Sequence, residues 1–313
     1  MTPGRAFLNI AHRGGRAFAP ENTLPAIRMA RRLGGNVVEL DVQMSRDGEL
    51  VMIHDDEVTR CSDAQTRFPG RSDYSVVSFT WHELAQLDAG SWFVDELARP
   101  TSERQPYLRE LATEEIEQWI PDAAIDQYRS GSVRILRLRD ALEAAHECEL
   151  AVVLDIKTIP RRYPDIASRA VALIRALNME ADSLISSFDH ALLAEVRRES
   201  AAIATGVLTA ERLYRPREYV VGLAADAYHP GCSGADDVVR RGVSANEIDG
   251  DMIREITDAG LLLNVWTEND ELRMRALIDA GVTGIVTDYP NRLRRVLDEM
   301  NRTAPTGPRL KST

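Results

Sequence analysis

Ile10-Ala11-His12-Arg13-Gly14-Gly15 opens a stretch that runs on to Val37-Val38-Glu39-Leu40-Asp41-Val42-Gln43 and closes on Leu50-Val51-Met52-Ile53-His54-Asp55-Asp56. Between the first two apolar runs lies a helix-like segment, Leu24–Leu33, with apolar residues at 24, 27, 30 and 33. Asn22 or Thr23 caps it, Pro25 sits in its first turn and Gly34-Gly35 stops it. Strand, helix and strand in that order are the opening unit of a parallel sheet. Asp47-Gly48 then turns the chain, and the third run brings His54 to the end of a buried strand.

The same rhythm continues downstream. Apolar runs recur at Leu8–Ala11, Val37–Val42, Leu50–Ile53, Ala151–Ile156, Ser183–Ser187, Ile203–Leu208, Gly222–Ala225, Leu261–Val265 and Gly284–Val286. Helical patterns fall at Leu138–His146, Ile166–Leu177, His190–Glu199, Gly250–Ala259 and Asp270–Ala280. About eight strand–helix units over roughly 250 residues is the size of a (β/α)₈ TIM barrel. An open doubly wound sheet is the competitor, yet no GxGxxG or GxxxxGK[ST] follows any strand. The expected α/β architecture is a barrel over 8–298, with a small inserted subdomain at about 56–134 after the second barrel strand. That segment breaks the rhythm with Pro69-Gly70, Trp81, Trp92, Pro100, Pro106, Trp119 and Pro121. Residues 299–313, with Pro305, Gly307 and Pro308, read as a disordered tail.

Composition bounds the function. The 313-residue chain has 38 Lys+Arg against 49 Asp+Glu, a net charge of −11. That surface argues against nucleic acid as a partner, since phosphate-backbone affinity comes mainly from Lys and Arg. It leaves room for an anionic small molecule, because a few local cations or a metal reverse the field within one pocket. Cys61, Cys148 and Cys232 are odd in number and far apart, with no CxxC, so neither a disulfide framework nor a zinc–thiolate site is expected. Met1 to Phe7 shows no signal-peptide pattern, and no run of about 18 apolar residues suggests a transmembrane helix. A cytoplasmic enzyme is the expectation.

Strand period 2 places Val38, Leu40 and Val42 on one face and Glu39, Asp41 and Gln43 on the other. In a strand covered on both sides, two carboxylates pointing the same way repel and are costly to desolvate. A divalent cation with oxygen ligands resolves the conflict; a solvated edge strand is the alternative. Ala151–Ile156 repeats the pattern: Asp155 shares a parity with Lys157, opposite to Leu154 and Ile156. Asp155 would be a third oxygen ligand and Lys157 a cation for an anionic substrate, or the two balance each other at a strand end. His12 and Arg13 end the first strand, at the mouth where a barrel carries its site. Three carboxylates, two histidines, an Arg and a Lys together suit in-line displacement at a phosphodiester.

His12-Arg13-Gly14, Pro20-Glu21-Asn22-Thr23, Glu39-Leu40-Asp41-Val42, Asp47-Gly48 and His54-Asp55 together resemble the glycerophosphodiester phosphodiesterase family. The resemblance extends through Leu87-Asp88-Ala89-Gly90-Ser91-Trp92, Leu154-Asp155-Ile156-Lys157, Ser187-Phe188-Asp189, Val265-Trp266-Thr267 and Thr287-Asp288-Tyr289-Pro290. It implies a TIM barrel with an inserted subdomain that releases sn-glycerol 3-phosphate and an alcohol. It puts His12 and His54 on a catalytic pair and Glu39 and Asp41 on metal ligands. It puts Arg13 and Lys157 near the phosphate and Trp266 near the glycerol. All-oxygen ligands favour Mg²⁺ or Ca²⁺, with Mn²⁺ next, over Zn²⁺.

Two departures stand out. The third ligand is Asp155 where the family commonly has Glu, one methylene longer, and the insertion is long between Gly90 and Ile135. A lysophospholipase D would need an apolar groove, for which Trp81, Trp92, Phe93 and Trp119 are available; the insertion's own core is their alternative use. A sphingomyelinase D-like phospholipase shares the His…Glu-x-Asp…His layout. A non-catalytic phosphodiester-binding barrel would lack a catalytic group, yet both histidines and the carboxylates are in place.

Overall fold

The computed structural model describes residues 6–158, 163–211, 213–231, 250–302 and 310–311. Nine strands form one sheet: β1 (Leu8–Ala11), β2 (Val37–Met44), β3 (Leu50–Met52), β4 (Ala151–Ile156), β5 (Ser183–Ser187), β6 (Ala204–Thr209), β7 (Ala227–Pro230), β8 (Leu262–Val265) and β9 (Gly284–Thr287). Eight of them run parallel in the order β1-β9-β8-β7-β6-β5-β4-β2, and β1 pairs with β2 to close the barrel. The fold is therefore the expected (β/α)₈ barrel.

Alternation along each strand builds two cores. Leu8, Ile10, Val37, Ala151, Val153, Leu184, Leu262 and Val286 fill the barrel interior. Val38, Leu40, Val42, Val152, Leu154 and Ile156 face outward into the helical layer. The first barrel helix is Leu24–Arg32, and the Thr23 hydroxyl accepts from the Ala26 amide. Later helices are Leu138–Glu147, Ile166–Ala176, His190–Glu199, Pro216–Gly222, Gly250–Asp258, Glu271–Ala280 and Pro290–Glu299.

The β1–β2 seam has a feature that shapes the site. β1 pairs with β2 only at Ile10↔Val37 and Ala11↔Val38, whereas β4 follows β2 from Val37 to Val42. Antiparallel β3 takes up the edge that β1 leaves, at Val42↔Met52 and Met44↔Leu50. The return strand thus carries His54 to the mouth on the side of β1.

Residues 56–134 contribute short helices and no barrel strand. Their apolar side chains, Phe93, Leu108, Ile120 and Tyr128 among them, pack on Phe18, Met29 and Tyr289 beside the barrel mouth.

One strand departs from expectation. The run Gly222–Ala225 is no strand: Gly222 ends the helix Pro216–Gly222, Leu223 caps it and Ala224 takes φ 51°. Its apolar residues serve a helix exit turn, and β7 begins at Ala227. The helices Pro216–Gly222 and Pro290–Glu299 were not anticipated either; the latter is masked by its charge and buries only Pro290, Leu293, Val296 and Leu297. Of the residues expected to be disordered, Glu299 closes that helix and Leu310 is buried inside the barrel, while 303–309 and 312–313 lie outside the described residues. Cys61 and Cys148 are free, and Cys232 lies outside the described residues.

Candidate active site

The C-terminal mouth opens on a cavity of about 540 Å³. His12, Arg13, Glu39, Asp41, His54, Asp155, Lys157 and Trp266, the residues singled out from sequence, all line it.

The carboxylates come from neighbouring strands in register. Asp41 of β2 pairs with Asp155 of β4, and Glu39 lies one inward step below Asp41. Ligand oxygens of Glu39, Asp41 and Asp155 lie within 4.8 Å of one another, and all three residues are buried. Burial, then Asp41 and Asp155, push the Glu39 carboxyl well above its usual range. Burial opposes ionisation of Asp41 too, yet Lys157, His54 and Arg13 hold it well below. Asp155 is raised, by burial first. One oxygen, Asp155 Oδ1, is buried with no hydrogen-bond partner among the described residues. A buried, unpartnered carboxylate oxygen beside two further carboxylates is a set that could hold a cation, and its all-oxygen character suits a hard divalent ion. Asp155 thus fits the ligand role despite its shorter chain.

The surrounding charges lead to the same conclusion. Arg13, Arg16, Arg60 and Lys157 face Glu21, Glu39, Asp41, Asp55, Asp155 and Asp288 through direct ion pairs or close approach. Six carboxyl groups thus face four strong cations in this part of the mouth.

His12 is the first residue past β1. Its Nδ1 lies 2.7 Å from Asp288 Oδ1, and its Nε2 is 3.9 Å from Glu39 Oε2. Asp288 sits just beyond β9, where Arg16 Nε donates to it at 2.6 Å and Asn269 Nδ2 at 2.9 Å. Burial, then Arg16, lower the His12 pKa to about 4, against the opposing pull of Asp288. His12 is therefore neutral at pH 7, with Nδ1–H held by Asp288 and Nε2 turned to the cavity side.

The tight turn after His12 depends on glycine. Gly14 has φ +85°, and a Cβ there would lie 2.6 Å from the Ala26 Cβ. Arg13 itself takes φ 51°, which lets its amide donate to Glu39 Oε2 at 2.9 Å while its guanidinium reaches Glu21 at 3.0 Å. Asn22 brackets Asp41, donating to Oδ2 at 2.8 Å and accepting from the Asp41 amide at 3.1 Å. Glu21 and Asn22 of the first loop thus orient the residues that line the cavity.

His54 arrives on the return from β3. Its Nδ1 lies 2.6 Å from Asp55 Oδ1, and Arg60 joins Asp55 to Glu21. Gln43, on the inward face of β2, donates to the carbonyls of Ile53, His54 and Asp55, and Tyr163 donates to Gln43 Oε1.

The far wall is less charged. Trp266, just past β8, donates from Nε1 to the His229 carbonyl at 2.8 Å and meets Phe188 edge-on at 5.7 Å between centroids. Ser186, Leu208 and His229 line the same side, and the insertion contributes Gln105, Pro106 and Tyr107. Trp92, Phe93 and Trp119 lie in the cluster beside the mouth, and Trp81 packs with the cluster around β3. None of these four is among the residues that line the cavity.

Sequence reading missed Asp288, Arg16, Arg60 and the clamp by Gln43. Asp288 lay within a quoted motif but had no role, because its partner His12 is 276 positions away.

A parallel barrel with this mouth defines a (β/α)₈ hydrolase of phosphoric diesters. The chain matches the glycerophosphoryl diester phosphodiesterase family over residues 12–292. It belongs to that family. A glycerophosphodiester phosphodiesterase of Bacillus altitudinis is 29% identical over 291 residues, covering 93% of this chain and 98% of its own. One from Caldanaerobacter subterraneus subsp. tengcongensis is 29% identical over 286 residues, 91% of this chain and 96% of its own. An Oleispira antarctica phosphodiesterase solved with the product sn-glycerol-3-phosphate shares the fold, with TM-score 0.71 at 24% identity over 92% of this chain and 96% of that one. No helix among the described residues is long and apolar enough to cross a membrane.

Proposed function

We propose that this protein hydrolyses glycerophosphodiesters to sn-glycerol 3-phosphate and an alcohol, with His12 and His54 moving the protons. The observation that carries this reading is one cavity lined by both histidines, the three carboxylates, Arg13 and Lys157. Family membership and the relatives' names support the substrate class. Glu39, Asp41 and Asp155 would hold a divalent ion, Mg²⁺ or Ca²⁺ before Mn²⁺, which supplies positive charge to the phosphoryl oxygens.

The chain's own groups divide the work. Arg13, fixed by Glu21 and Asp41, and Lys157 position the phosphate. His12, neutral and held by Asp288, accepts the proton of the glycerol 2-hydroxyl as that oxygen attacks phosphorus. His54, backed by Asp55, protonates the leaving alcohol. Water then opens the cyclic phosphate with the roles reversed. Trp266 and Phe188 form an apolar wall for the glycerol carbons. The free thiols of Cys61 and Cys148 fit work in the cytoplasm on a small-molecule substrate.

The test is which bond breaks. Phosphorus NMR of the protein with glycerophosphocholine and added metal should show glycerol 3-phosphate, preceded by a five-membered cyclic phosphate. Choline phosphate with free glycerol would overturn the assignment. Turnover of lysophosphatidylcholine alone would support the lipid-directed rival instead.

A further inference from the structure

The site contains a cation of its own, placed where it competes with a metal. Lys157 Nζ lies 3.0 Å from Asp41 Oδ1 and is bonded to Asp155 Oδ2. Those are two of the three residues whose oxygens converge within 4.8 Å. The ammonium thus neutralises the flank of the triad that a divalent ion would claim.

The choice of residue is unusual for this chain. Of its 38 strong cations, 36 are arginine and two are lysine, Lys157 and Lys311. A guanidinium is a planar fork that locks onto carboxylates, as Arg16 does on Asp288. An ammonium is a compact point charge on a flexible four-carbon stem, suited to leaving one partner for another. The backbone at this position is fixed by the sheet, while the side chain is held only by the two carboxylates it pairs with. Lys157 N donates to Val42 O at 3.0 Å, and the side chain borders the open cavity with the Phe188 ring 6.0 Å from Nζ.

We propose that Lys157 is a displaceable internal cation: it neutralises Asp41 and Asp155 in the metal-free protein, yields them to the entering metal, and then turns its ammonium to the substrate phosphate. This rests on the reading that the triad takes a divalent ion. Its consequence is order: metal entry precedes full phosphodiester affinity, because only then is the ammonium released.

Two measurements on the full chain test it. Calorimetric titration with Mn²⁺ at pH 8.5 compares wild type with Lys157→Met and Lys157→Arg. Removing a like charge from within about 4 Å of the ligands should tighten Mn²⁺ binding by about tenfold or more in Lys157→Met. Lys157→Arg should bind no tighter than wild type. Equal or weaker binding by Lys157→Met overturns the proposal. The second measurement needs no variant to fold. Nitrogen-15 labelling of lysine gives two side-chain signals, and Mg²⁺ should move the Lys157 signal while leaving Lys311 in place. A Lys157 signal indifferent to saturating Mg²⁺ overturns the proposal. If wild type binds neither ion, the metal reading of the triad falls as well; if it binds both and Lys157→Met binds no tighter, only the displacement falls.

Discussion

His12 and His54 line one cavity but are held in opposite ways. His12 is 12% exposed, follows a central barrel strand, and is braced by Asp288, which in turn takes Arg16 and Asn269. His54 is 33% exposed, lies on a return loop, and is backed by its own neighbour Asp55. The barrel thus sets one imidazole through contacts that span the whole chain. The other is set locally, through Asp55, Arg60 and the three hydrogen bonds from Gln43. A group that must stay neutral and aimed gains from burial, and a group that must reload its proton gains from access to water.

Substitutions sharpen that contrast. His12→Ala should lower kcat/KM by about 10²–10⁴-fold with the fold intact, since it removes the proposed proton acceptor; circular dichroism and steady-state rates check both halves. Asp288→Asn should cost roughly 10- to 100-fold in kcat, because an amide no longer favours the Nδ1–H tautomer. Asp55→Asn should cost less, under about tenfold, since Gln43 still clamps the segment. Equal losses for the two substitutions would erase the distinction drawn between the histidines.

Stability carries a pH signature of the buried side. Burial lowers the His229 pKa to about 4, and the side chain sits in the barrel with Nε2 3.0 Å from Asn264 Nδ2. The folded state then binds fewer protons than the unfolded chain between pH 6.5 and about 4. Stability is full above pH 6.5 and is lost as pH falls through that window, by on the order of 3 kcal/mol for such a shift. Thermal melts across this range should show the decline, and His229→Gln should flatten it. His12 contributes in the same direction.

Gly14→Ala isolates the turn that aims His12. The left-handed φ and the clash with Ala26 should lower stability by about 1–3 kcal/mol, measured by denaturant unfolding.

Much of the barrel was legible because its signals are local. Glu39 and Asp41 fall on one side of β2 by strand period alone, and Val38, Leu40 and Val42 on the other. The same parity carried Asp155 and Lys157 into the mouth. The braces were not legible. Asp288 meets His12, and Arg60 meets Glu21, only after the barrel closes, and no local period encodes a contact between distant positions. Gly222–Ala225 misled because an apolar run of four serves a helix exit as well as a strand. The four aromatics left two uses open, a lipid groove or the insertion's own core. Composition shows that they are apolar, while only packing shows that they fill the insertion's own cores.

The most direct test of the central claim is glycerol 3-phosphate release from glycerophosphocholine by protein stripped with a chelator, before and after one divalent ion is restored. The account predicts no release from the stripped protein, recovery with Mg²⁺, Ca²⁺ or Mn²⁺, and no recovery in His12→Ala beyond about 1% of wild type. Full release without metal, or wild-type release by His12→Ala, would contradict it.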